Sequence, residues 1–80
     1  MDFELAVTFN SMEFIFPGKF LDYGYSSKIE MDIEGTKVLF EPDEERNWRA
    51  LISFEDLQAN KQLNRHLLKE IAEAIDAITK

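Results

Sequence analysis

Lys28-Ile29-Glu30-Met31-Asp32-Ile33-Glu34-Gly35-Thr36-Lys37-Val38-Leu39-Phe40-Glu41 is the stretch that decides the fold. On both sides of Glu34-Gly35, apolar and charged residues alternate with a period of two, the pattern of half-buried strands. A two-residue turn at Glu34-Gly35 pairs Ile33 with Thr36, Met31 with Val38 and Ile29 with Phe40. The opposite face then sets Asp32 against Lys37 and Lys28 against Glu41. Apolar pairs on one face and opposite charges on the other select the same register, and a slip of one residue would scramble both.

The alternation continues outward. Toward the N-terminus, Phe3, Leu5, Val7 and Phe9 share one face, as do Met12, Phe14 and Phe16. A turn at Asn10-Ser11 sets Phe9 against Met12, Val7 against Phe14 and Leu5 against Phe16. Pro17-Gly18-Lys19 reads as a second turn, and Phe20 to Tyr25 as irregular chain or a short strand. Toward the C-terminus, Pro42 cannot donate to a ladder and ends its strand. Pro42 to Arg46 reads as an exposed turn. Asn47 to Ser53 resumes the alternation, with Trp48, Ala50 and Ile52 inward beside Phe40 and Val38. These segments make a meander of about five antiparallel strands over residues 3–53.

The period then changes. Leu63, Leu67, Ile71, Ala74, Ile75 and Ile78 recur at three- and four-residue spacing, with Leu68 and Ala72 widening the stripe. Arg65, His66, Lys69, Glu70, Glu73 and Asp76 fill the other side. Asn64 would fall within the stripe if helical, so it reads as the N-cap, with Leu63 and Leu68 as a hydrophobic staple around it. The helix runs from Arg65 to about Ile78, and Ser53-Phe54-Glu55-Asp56 caps a further short helical turn. One amphipathic helix must cover the apolar face of the sheet. The expected fold is therefore α+β, a two-layer antiparallel β-meander with one C-terminal helix packed on one face. Eighty residues with no linker-like segment make residues 1–80 a single small domain.

Composition narrows function. The net charge is -7, with 13 acidic against 5 basic residues in 1–60 and 3 against 4 in 61–80. Such a surface disfavours a nucleic-acid backbone. The chain has no apolar run near the ~20 residues of a membrane span, and its acidic N-terminus lacks the basic region of a signal peptide, so a cytoplasmic location is expected. With no cysteine, disulfides and thiolate chemistry are excluded.

Few residues suggest chemistry. The acidic loop Glu41 to Glu45 could offer carboxylates to a divalent cation but lacks the spacing of a calcium loop. His66 and Glu70 form half a metal site, and His66 could serve a hydrolase only with Ser11, Ser26, Ser27 or Ser53, none in a nucleophile motif. Neither a catalytic set, a metal site nor a cofactor is expected. Tyr23 and Tyr25 around Gly24 are the candidate small-molecule contacts, though a bend explains them as well. On the face turned from the helix, Ala6, Ile15, Leu39 and Leu51 interrupt a charged row, and Ile15, Leu39 and Leu51 are the candidate contacts for a protein partner or a second copy. The expectation is a non-enzymatic interaction or regulatory module. A small-molecule or cation binder is the alternative, and a hydrolase using His66 is third.

Overall fold

The structure, a computed structural model, describes residues 2–24, 26–59 and 63–79. Its elements are β1 (Asp2–Phe9), β2 (Met12–Asp22), β3 (Ser27–Ile33), β4 (Thr36–Pro42), β5 (Trp48–Leu51), α1 (Phe54–Ala59) and α2 (Arg65–Thr79). The strands form one antiparallel sheet in chain order, β1-β2-β3-β4-β5, as the alternation predicts.

Both hairpin registers agree with the sequence reading. Phe9 faces Met12, Val7 faces Phe14 and Leu5 faces Phe16, while Ile33 faces Thr36, Met31 faces Val38 and Ile29 faces Phe40. Asn10 and Ser11 have φ of 52° and 63°, and Glu34 and Gly35 have 52° and 91°. Positive φ at both central residues is the turn geometry whose twist matches the flanking strands. Lys28 Nζ lies 3.2 Å from Glu41 Oε2, as the pairing predicts. Asp32, however, does not use its carboxylate on Lys37. Its Oδ1 accepts the Gly35 N–H at 2.9 Å, and Lys37 Nζ lies instead 3.9 Å from Glu30 Oε1.

The segment Pro17-Gly18-Lys19 is not a turn. It lies in the middle of β2, an 11-residue strand that continues to Asp22 and pairs with both β1 and β3. In a two-residue hairpin the flanking pair is hydrogen-bonded and the pairs alternate thereafter. Pro17, opposite Glu4, is then at a non-bonded site, with its missing N–H on the side of β3. The β2–β3 ladder begins at Gly18↔Met31, the next residue along. Pro17 thus ends a ladder without breaking the strand.

Gly18 lets that strand pass at the bottom of the core. A Cβ placed on it would lie 2.6 Å from Phe3 Cζ and 2.7 Å from Met31 Sδ. The ring of Phe3 occupies the space that any larger residue would need.

The apolar face of the sheet and the stripe of α2 form one core cluster, in which Ile29, Met31, Ile33, Phe40, Ile71 and Ile75 are fully buried. The closest backbone approaches of α2 are to the edge strands β1 and β5. Asn64 Oδ1 accepts the Leu67 N–H at 2.7 Å, and Leu63 and Leu68 are both buried, so the cap and staple form as expected. Ser53 Oγ accepts the Asp56 N–H at 3.1 Å at the start of α1. Ile78, assigned to the stripe, is 58% exposed because it lies at the last turn of α2. Asp76, assigned to the solvent side, instead accepts a hydrogen bond from the Trp48 backbone.

Candidate functional site

The candidate contact residues lie on the face of the sheet away from α2, but the register brings only two of the three together. Leu39 and Leu51 are direct partners across β4 and β5, with Leu39 half-buried and Leu51 39% exposed. Arg49, two residues from Leu51, faces Glu41 instead. The row through Leu39 continues to Glu30, Lys19 and Asp2. Ile15 lies on β2, four residues before Lys19 and two strands from β4. At ordinary strand spacings that is roughly 16 Å from Leu39. A shallow depression lined by Asp2, Glu4, Lys19, Glu30, Asp32 and Lys37 occupies the middle of this face. Charge divides the two apolar positions.

Ile15 belongs to a different surface. The β2–β3 ladder stops at Gly18 and β3 itself ends at Ile33, which the register sets opposite Phe16, so from Ile15 to the turn β1 and β2 continue as a two-stranded ribbon. Leu5, Val7 and Phe16 are buried under α2 near its base. Toward the tip, Met12 and Ile15 are each 60% exposed on opposite faces, and Phe9 and Phe14 are only half-buried. Phe14 stacks on Phe16 with centroids 5.7 Å apart and planes 6° from parallel, which stiffens the inner face. Residues 5–18 include one charged residue, Glu13, in fourteen, whereas 31% of the chain is charged. Depletion of charge around exposed aromatic and aliphatic side chains is the compositional mark of an interface centre.

Met12, Phe9 and Phe14 escaped the sequence reading because their phase assigns them to the core. Phase says which face a residue occupies, not whether the helix reaches that far along it. The scarcity of charge between Leu5 and Gly18 was the available signal.

The remaining candidates are occupied by structural roles or lie apart. Tyr23 is exposed in the loop after β2, where its N–H donates to Ser26 O at 2.9 Å and Asp22 Oδ1 accepts the Gly24 N–H at 2.8 Å. This is a bend closing the β2–β3 hairpin. Tyr25 lies outside the described residues. In the acidic loop, Asp43 Oδ1 accepts the N–H groups of Glu45 at 2.8 Å and Asn47 at 2.9 Å, so its carboxylate organises the turn. Glu41 binds Lys28 and takes both Nε and Nη2 of Arg49, at 3.2 and 2.8 Å. The Arg49 guanidinium and, second to it, the Lys28 ammonium hold the Glu41 carboxyl below the usual glutamate range. His66 is exposed on the first turn of α2. Among the described residues, no three metal-ligating side chains come together, and no helix is long and apolar enough to cross a membrane.

No protein-family model, curated protein or solved structure matches this chain.

Proposed function

We propose that this chain is a non-enzymatic protein-interaction module of the cytoplasm, with no role on nucleic acid, and that the end of the β1–β2 hairpin is its contact. The observation that carries this reading is the pairing of Met12 and Ile15, each 60% exposed on opposite faces of one charge-poor ribbon. Leaving such side chains in water forfeits roughly 25 cal/mol for each Å² that a partner would bury. A ribbon apolar on both faces offers a partner two sides, as an inserting element does. Leu39 and Leu51 form a smaller, separate apolar pair at the β5 margin, rimmed by charge, and would extend the contact of a large partner.

The test is a photo-crosslinking amino acid placed at Ile15 and, as a control, at the exposed loop residue Glu45, combined with sedimentation of the native chain over a wide concentration range. Crosslinks from position 15 that vanish in the folded variant Met12→Lys, or self-association that vanishes in the folded variant Met12→Lys/Ile15→Lys, support the reading. Equal crosslinking from position 45, or association unchanged in that variant, overturns it.

A further inference from the structure

A groove of about 440 Å³ lies between β5, α1 and α2. Its apolar lining includes Trp48, Ile52, Leu57 and Leu68. Its charged lining is cationic. Among the described residues Arg49, Arg65 and Lys69 line it and no acidic residue does, in a chain with 16 acids and 9 basic residues. The guanidinium of Arg49 is already held by Glu41, which leaves Arg65 and Lys69, one helical turn apart on α2. Neither makes an ion pair among the described residues.

The position of these two cations runs against helix electrostatics. The N-terminal turn of a helix carries partial positive charge and favours acidic side chains. The first turn of α2 has no acid and instead begins Arg65-His66, with Lys69 on the following turn. Two cations, Arg65 and Lys69, therefore lie at the positive end of the helix beside an apolar groove. The unfavourable field would be relieved by an anion held there, and the apolar walls select what else that anion carries. The volume falls within the ordinary range of small-molecule sites.

We propose that this groove binds an amphiphilic organic anion, its apolar body against Trp48, Ile52 and Leu68 and its single anionic head on Arg65 and Lys69. The site is distinct from the hairpin contact, and either can fail without the other.

Trp48 is the only tryptophan, so its fluorescence reports the groove directly. The native chain is titrated with decanoate, with decanol of the same chain length and with acetate. Decanoate is expected to saturate the signal at least tenfold more tightly than decanol, and acetate to leave it unchanged. The exposed-site variant Arg65→Gln/Lys69→Gln should bind decanoate at least tenfold more weakly and decanol as before. Should that variant fail to fold, rising sodium chloride applied to the native chain provides the same comparison, weakening decanoate and sparing decanol. Amide shifts on binding should concentrate at Trp48 and residues 65–69. Equal affinity for decanoate and decanol, no salt effect, or shifts centred on Met12 and Ile15 would overturn the proposal.

Discussion

The backbone N–H of Trp48 donates to Oδ1 of Asp76 at 3.0 Å, joining the start of β5 to the last third of α2. The indole Nε1–H of Trp48 donates to Thr79 Oγ1 at 3.0 Å one turn further on. Trp48 begins an edge strand of only four residues, so α2 supplies anchoring that ladder bonds alone would not. Removing the acceptor in Asp76→Ala should cost about 1–2 kcal/mol, in the range for a hydrogen bond to a charged group that is partly in solvent. Asp76→Asn keeps an acceptor oxygen and should cost less. Urea unfolding followed by Trp48 fluorescence measures both, and an Asp76→Ala midpoint equal to the native one would show that the bond carries no stability.

Gly18 predicts a larger effect from a single methyl group. Gly18→Ala forces its Cβ against the Phe3 ring and Met31 Sδ, and overpacking of this kind costs about 1–3 kcal/mol. Trimming the ring should return part of that loss, so Gly18→Ala in a Phe3→Leu background should be less damaging than in the native chain. Thermal unfolding of the four proteins gives the coupling. Strict additivity would mean that the ring does not set the limit.

The failure at Pro17-Gly18 explains how far the sequence could be read. A Pro-Gly pair is a strong turn signal because proline presets φ and glycine accepts either sign. Neither property is used here. Proline ends a ladder on one side, and glycine makes room for Phe3. The contrary signal was phase, since Met12, Phe14, Phe16, Gly18 and Phe20 are all even-numbered and a strand passing through them never changes face. Reading a turn there left the β2–β3 register undetermined. Face assignments for Ile15, Leu39 and Leu51 survive that omission, because they need only local alternation. Their separation does not, because distance across a sheet depends on every register between. The α2 cap was legible for the opposite reason, its signal lying within the six consecutive residues Leu63 to Leu68.

Glu41 sets an acid sensitivity. Its carboxyl is held below the ordinary value of 4.5 by Arg49 and Lys28, so the folded state binds its proton less readily than the unfolded chain does. The stabilisation is fully present above that ordinary value and is lost as pH falls through the lower, folded-state value. Glu41→Gln should therefore lower stability near neutral pH and flatten its decline below about pH 4.5. Unfolding midpoints from pH 7 to pH 3 test the sign, and curves that stay parallel over the whole range would remove Glu41 from the acid response.

Strand neighbours in this sheet are also neighbours in the chain, so each hairpin closes over a short loop, whereas α2 must find β1 across the entire meander. Short closures cost little entropy and are made early; the long one comes last. The sheet should consequently be largely assembled at the rate-limiting step, with the helix still undocked. Ile71→Val, fully buried in α2, should then accelerate unfolding and leave the refolding rate nearly unchanged, while Val38→Ala in the central hairpin should slow refolding. The reverse pattern in stopped-flow kinetics would mean that the helix nucleates the fold. If the order holds, the lifetime of the native state is set by how long α2 stays docked, and the edge strands it fastens, β1 and β5, are the first to come loose.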